Sequence, residues 1–405
     1  MSFESLFFLP RWPLPFGQLL WVGVLLVAAI VAGEAARRWL RLPRILGYIT
    51  VGAVLGPEAS GVITGETLGD LHVLVEIAVG LLLFELGQRV DLGWLRRNPW
   101  LLATSVLEAG LAFAAVFTLL TVLGERPVAA SAAAVLAMAT SPAVVMTMVK
   151  DLRAQGQVTE RLLLLTALNT TYAVVGLAII VGWVHLEHQR DPLVMLAHPA
   201  YLVGGSLAAA VVVAVATLAL LKLLGRRPGF QFSILVAIVL LTVAGAAALK
   251  LSMPLTLLLL GVLARALDRE RHFVSLRFGE TTMLFVVILF AAAGASLEFS
   301  GWGAAFATAL GFIAARFVGK AVAILVLARA SALSLRGAWL VNLGLAPMSG
   351  IALLLLQDLA RFDPKLGGEI SAAMVLAITI LAFLGPLATE FAVRKAGEAG
   401  EARHP

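Results

Sequence analysis

Glu108, Arg316 and Lys320 are the residues whose chemistry asks first for an explanation. Each sits in the middle of an apolar run long enough to cross a bilayer. An ionisable side chain there is expensive and marks a site or a pathway by default. Arg316 and Lys320 are four positions apart, hence on one helix face. Two like charges so placed need a carboxylate partner, a watery cavity, or a lysine able to give up its proton. Glu108 precedes Arg316 by 208 positions. We expect these two to lie near a pseudo-two-fold axis and to pair, the competing role being an ion pair that only locks two helices. The chemistry on offer is charge coupling: a carboxylate that holds a proton or a cation, balanced by fixed positive charge.

A polar group accompanies them. Thr166, Asn169, Thr170 and Thr171 crowd the centre of one apolar run. Such residues commonly act as interhelical hydrogen-bond glue. Two proline-containing interruptions favour a site instead: Ala139-Thr140-Ser141-Pro142, and Ala346-Pro347-Met348-Ser349-Gly350 about 207 positions later. Proline removes a backbone donor and blocks helix continuation, so each run is expected as two half-helices meeting at a break. Matched broken helices in two halves of a chain point to a transporter's binding site. Side-chain oxygens and freed carbonyls there suit a dehydrated monovalent cation. The expected ion or substrate ligands are Thr140, Ser141, Asn169, Thr170 and Ser349. Asn342, one turn before Ala346, is expected to satisfy backbone freed by Pro347. Glu34 and Glu85 lie near run ends. The histidines show no metal-ligand spacing, so no metal beyond Na+ or K+ and no cofactor is expected.

These residues need a membrane frame. The chain has 405 residues, 61% hydrophobic and 13% charged, against roughly 25% charged in soluble domains. It reads as an all-α integral membrane protein. There is no cysteine, which excludes disulfides and thiolate chemistry. No GxxxxGK[ST] loop is present, which argues against a nucleotide-driven pump. Glu4 and the lack of a basic leader make the N-terminus a poor cleavable signal. No enzyme activity and no nucleic-acid binding is expected; the formal charge of +6 is explained by orientation.

Thirteen apolar segments follow from the breaks: 17–36, 44–57, 71–88, 99–123, 128–149, 161–184, 197–223, 231–250, 253–267, 279–297, 302–328, 335–358 and 370–392. One alternate set of loops carries 22 of the 30 Lys and Arg, the other six. The first set runs from Arg37, Arg38, Arg41 and Arg44 to Arg394, Lys395 and Arg403. The second is Arg11, Arg126, Arg190, Lys250, Arg361 and Lys365. By the positive-inside rule the N-terminus is outside and the C-terminus cytoplasmic, in the cell membrane. Residues 1–393 form one transmembrane domain, and 394–405 a short, loose tail.

Leu83-Phe84, Gly87, Asp91 and Gly93-Trp94 recur as Leu289-Phe290, Gly294, Glu298 and Gly301-Trp302, offset by 206 to 208. The offset spans seven segments, an odd number, so the two copies cross in opposite senses. The repeats are about 44–184 and 253–392, an inverted pair.

Three stretches resemble the monovalent cation:proton antiporter superfamily in its Kef/NapA-like branch. Leu42-Pro43-Arg44-Ile45-Leu46-Gly47-Tyr48, with Gly52 and Leu55-Gly56-Pro57, is similar to the second-helix signature. Glu76 and Leu81-Leu82-Leu83-Phe84-Glu85-Leu86-Gly87, with Asp91-Leu92, is similar to the third helix. Lys320, with Ala328-Arg329 and Leu333-Ser334-Leu335-Arg336, is similar to the region of the membrane lysine. The resemblance implies thirteen helices, two crossed discontinuous helices, a homodimer in the lipid bilayer, and elevator-like exchange of a monovalent cation for a proton.

Two departures bear on the site. The family usually has Asp-Asp or Asn-Asp in its sixth helix, where this chain has Asn169-Thr170. A glutamate often follows the second break, where this chain has Ile351. The soluble regulatory domain of some Kef-type members is also not expected. Asparagine does not titrate. Either another carboxylate, above all Glu108, couples protons, or Lys320 titrates, or a net positive site carries an anion or organic solute. A transport-inactive membrane sensor or partner protein is the remaining alternative.

Overall fold

The computed structural model describes residues 18–189, 192–224, 228–267, 281–297, 302–348 and 350–400. Glu4, Ser349, Glu298, Gly301, Arg11, Arg190 and Arg403, used above, lie outside them, as do His272, Arg226, Arg227, Arg269, Arg271 and Arg277. The described chain is helical, with no strand among the described residues. Its first half runs α1 (Gln18–Trp39), α2 (Arg44–Leu55), α3 (Gly65–Arg89), α4 (Leu92–Arg97), α5 (Pro99–Val122), α6 (Pro127–Met138), α7 (Pro142–Asp151) and α8 (Gln157–Gln189). Its second half runs α9 (Pro192–Leu224), α10 (Pro228–Ala248), α11 (Met253–Leu267), α12 (Thr281–Ala295), α13 (Trp302–Val326), α14 (Leu335–Gly344), α15 (Gly350–Phe362) and α16 (Pro364–Lys395).

Local sequence sets the helix starts. Pro99, Pro127, Pro142 and Pro364 occupy first turns, where a missing N–H costs nothing. Thr64, Asp91, Ser141, Ser334 and Asp363 each accept a hydrogen bond from an orphan backbone N–H of the helix that follows. Among the described residues, the expected segments overlie helices, and each of the two with a break is split between a pair: α6 with α7, α14 with α15. Eight spans among the described residues, counting α6–α7 as one, are long and apolar enough to cross a membrane. The helices of α2, α10, α11, α12 and α15 are apolar but shorter. Length and composition therefore support eight crossings on their own.

Close helix packing joins the stretches related by the 206 to 208 offset. Gly87 of α3 meets α11 so closely that a Cβ would lie 2.2 Å from the Leu258 oxygen. Gly294 of α12, 207 positions on, meets α2 with a Cβ 2.2 Å from the Ile49 oxygen. α3 thus packs on α11 as α12 packs on α2. Small residues let membrane helices approach this closely. α5 and α13, which carry Glu108 and Arg316, pack directly on each other.

The end of the chain differs from the loose tail expected. The Glu398 carboxylate accepts from Val158 N at 2.8 Å, Thr159 N at 2.7 Å and Thr159 Oγ1 at 2.7 Å. Gln155 N donates to the Glu398 carbonyl and Gly400 N to the Leu152 carbonyl, both at 2.9 Å. The orphan N–H groups at the start of α8 attract this carboxylate, which fixes residues up to 400.

Candidate functional site

Residues 139–141 separate α6 from α7 in extended conformation. Ala139 (φ −61°, ψ 140°) ends α6, and Ser141 (φ −71°, ψ 108°) caps α7. The residue before a proline is pushed out of the helical region, which is why the break falls at Ser141-Pro142. Leu345 to Met348 separate α14 from α15. The two breaks touch backbone to backbone: Ser141 N donates to the Pro347 carbonyl at 2.9 Å. This is the crossing of two discontinuous helices.

Arg316 fills the crossing on the side of the helix C-termini. Its Nε donates to Ala137 O at 3.0 Å and its Nη2 to Ala139 O at 2.8 Å. Nη1 donates to Ala346 O and Nη2 also to Leu345 O, both at 3.1 Å. All four carbonyls belong to the ends of α6 and α14. Each such end carries about half a negative charge, so two together roughly offset one guanidinium. The pairing of Arg316 with Glu108 is therefore not what forms: Arg316 is engaged by carbonyls.

Lys320 takes that carboxylate instead. Its Nζ hydrogen-bonds Glu108 Oε1 and also donates to Met138 O at 3.2 Å. Lys320 is 1% exposed and Glu108 0%. Glu108 reaches the site because α5 turns one stripe inward, through Thr104, Glu108, Ala112, Val116 and Leu120. Asn169 of α8 donates from Nδ2 to Glu108 Oε1 at 3.1 Å and to Thr140 Oγ1 at 3.3 Å. Glu108 Oε2 and Asn169 Oδ1 are buried without a hydrogen-bond partner among the described residues.

The structure thus brings Glu108, Lys320, Asn169 and Thr140 together, with Ser141 at the crossing. Thr170 is buried beside Asn169 on α8, but its hydroxyl donates to the Thr166 carbonyl at 2.9 Å. It keeps only acceptor capacity. Asn342 does not satisfy freed backbone; neither of its amide atoms has a partner among the described residues. The carbonyl that Pro347 leaves without its N–H donor, that of Leu343, is served by Ala346 N at 3.2 Å instead. Sequence reasoning missed Ser105 and Tyr172, whose hydroxyls bond at 3.0 Å, one turn from Glu108 and Asn169 respectively. Their spacing of three from the site residues was the available signal.

A cavity of about 800 Å3 opens between α3, α8, α9, α10, α11 and α15, with His72, Glu76, His198 and Asp358 in its wall. Val174, one to two turns beyond Asn169 on α8, also lines it.

A model of the sodium/hydrogen exchanger transmembrane family matches residues 24–395. Two solved structures of the sodium proton antiporter MjNhaP1 from Methanocaldococcus jannaschii share the fold, each at 16% identity. The structure at pH 8 has a TM-score of 0.68, covering 93% of this chain and 95% of that one. The electron-microscopy structure has 0.71, covering 96% and 100%. At such identity the likeness concerns the fold. Over 75 residues, 18% of this chain, the sequence is 32% identical to the iron transporter MagA of Paramagnetospirillum magneticum; the match spans only 17% of that relative. With two crossed broken helices and a family match running over nearly the whole length, this chain belongs to the sodium/hydrogen exchanger transmembrane family.

Proposed function

We propose that this protein is a secondary active transporter exchanging a monovalent cation for protons, with Glu108 as the group that takes either in turn. One observation carries the reading. Among the described residues, a fully buried carboxylate sits at the crossing of two broken helices, held by Lys320 and Asn169, with one oxygen unpaired. The titratable group that α8 lacks at Asn169 is supplied from α5.

Exchange requires that cation and proton exclude one another at one place. Lys320 occupies Glu108 in the state described. An entering alkali ion competes with that ammonium. It gains the Glu108 oxygens, Asn169 Oδ1, Thr140 Oγ1 and the Met138 carbonyl, an oxygen set suited to such an ion. Ser141 and Thr170 complete the lining. Arg316 holds the helix ends in place and does not titrate. One proton traded for one cation at one carboxylate makes the exchange electroneutral. An anion carrier needs an unmatched cation at the crossing, and the two cations there, Arg316 and Lys320, are both engaged.

The same reading places the chain in the cell membrane as a homodimer, with thirteen crossings, the N-terminus outside and the C-terminus cytoplasmic. Its repeats are residues 44–184 and 253–392. The test is flux: protein reconstituted in vesicles with an internal pH dye, pulsed with sodium, potassium or lithium between about pH 6 and 9. The expected result is alkali-driven proton movement with at least one ion. Silence to all three across that range contradicts the reading.

A further inference from the structure

A second cavity, about 550 Å3, lies at the arginine-rich end of the bundle. Its wall takes Arg89 and Asp91 from the end of α3, Trp94 from α4, Arg161 from α8, Arg265 from α11 and Ser331 from the turn after α13. It lies on the seam between the α2–α3–α11–α12 group and the helices that build the crossing.

Arg161 is the unusual member. It is 7% exposed. Its guanidinium lies over the Trp94 ring, 5.9 Å from the centroid, and Nη2 donates to the Ser331 carbonyl. Its Nε has no hydrogen-bond partner among the described residues. The Glu398 carboxylate is the nearby opposite charge, but it is taken by Val158 N, Thr159 N and Thr159 Oγ1, so the guanidinium has one carbonyl as its hydrogen-bond partner and Nε is left unsatisfied. Arg89 brings a second guanidinium to the same wall, while that of Arg265 is engaged by the Gln88 and Arg89 carbonyls and by Asp91. Asp91 does not oppose an anion strongly. Its carboxylate is taken by Trp94 N at 2.9 Å and Arg265 Nη2 at 3.0 Å. Glu160, on the exposed rim, is the other acidic residue of the wall. Guanidinium forks beside an aromatic face are a common means of holding phosphate.

We propose that this seam binds a phosphate-bearing anion through the guanidiniums of Arg161 and Arg89. The group is either a free phosphate compound or the headgroup of an anionic phospholipid. Because two helix groups wall the cavity, its occupant ties them together and slows any movement of one past the other. Binding stands apart from the transport reading, and only the slowing rests on it.

The experiment measures binding alone. The full chain in phosphatidylcholine nanodiscs is titrated with radiolabelled inorganic phosphate and pyrophosphate at constant ionic strength. A parallel set titrates phosphatidylglycerol into the discs. Saturable binding of a soluble probe identifies a free anion; binding of phosphatidylglycerol alone identifies a headgroup. In either case Arg161→Gln weakens affinity roughly tenfold or more. Arg89→Gln, at an exposed position that tolerates change, weakens it several-fold. Arg96→Gln, outside the cavity, leaves it unchanged. No saturable binding of any probe, or an affinity unmoved by both Arg161→Gln and Arg89→Gln, overturns the site.

Discussion

Ala139 and Ala346 stand 207 positions apart, and their carbonyl oxygens accept from one guanidinium, that of Arg316, at 2.8 and 3.1 Å. The offset is that of the internal repeat, so the two carbonyls are repeat-equivalent. A single side chain near the axis satisfies both helix ends. That explains a fully buried arginine without a carboxylate of its own. Arg316→Lys keeps the charge but loses the planar fork, and one ammonium does not span four carbonyls on two helices. The expected cost is about 3–5 kcal/mol, as for a broken buried charge network. The half-life of the folded protein in detergent at fixed temperature measures it. An unchanged half-life contradicts this role for the guanidinium.

Gly319 sets how near Lys320 comes to Glu108. A Cβ at Gly319 would lie 2.5 Å from the Leu111 backbone oxygen on α5. Backbone cannot step aside as a flexible side chain does, so Gly319→Ala forces α13 away from α5. Overpacking of this kind costs about 1–3 kcal/mol. We expect lower thermal stability and impaired exchange together. Gly303→Ala, on the same helix with nothing within 4 Å, is the control and leaves both intact.

Asn169→Asp adds a second carboxylate beside the first, since Asn169 Nδ2 is 3.1 Å from Glu108 Oε1. Two interacting carboxylates titrate as a pair. More than one proton then moves per cation, and exchange that was electroneutral responds to membrane potential. Flux in vesicles clamped at different potassium diffusion potentials reads the change. A variant as indifferent to potential as the parent protein speaks against Glu108 and Asn169 sharing one site.

Asp91 carries a pH dependence outside the membrane spans. The hydrogen bond from Trp94 N, and then Arg265 and Arg97, hold its carboxyl below the usual range, against the opposing effect of burial. A lowered folded value means that its contribution is complete above the ordinary carboxylate pKa, about 3.9. It fades as pH falls through the lowered value. The side chain is 41% exposed, so the effect is discounted for solvent screening. Asp91→Ala should cost about 0.5–1 kcal/mol at neutral pH. That difference should shrink on acidification, as read by thermal unfolding at a series of pH values. A gap between variant and parent that stays constant into strong acid contradicts the assignment.

Much of the frame was legible because its causes are local. Apolar runs gave the helices, and Ser141-Pro142 and Ala346-Pro347 gave the breaks, since proline acts on its own neighbours. The partner of Glu108 was not legible. A repeat offset shows that Glu108 and Arg316 are equivalent; it does not show that they touch. The four-residue step from Arg316 to Lys320 decided which cation met the carboxylate, and only packing of α5 on α13 reveals it. The Ser105–Tyr172 bond and the docking of Glu398 on α8 are likewise long-range. Asn342 was assigned a local task, serving the carbonyl freed by Pro347, that Ala346 N performs.

Proton movement driven by an alkali-ion pulse should be compared in vesicles holding the parent protein, Glu108→Gln and Glu108→Asp. Asp retains a titrating group and a partner for Lys320, so it should keep reduced exchange and a parent-like fold. Gln removes the proton site, and exchange should fall at least about a hundredfold, beyond the usual range for a modest positioning effect. Parent-like exchange from a well-folded, monodisperse Glu108→Gln protein would show that proton coupling resides elsewhere.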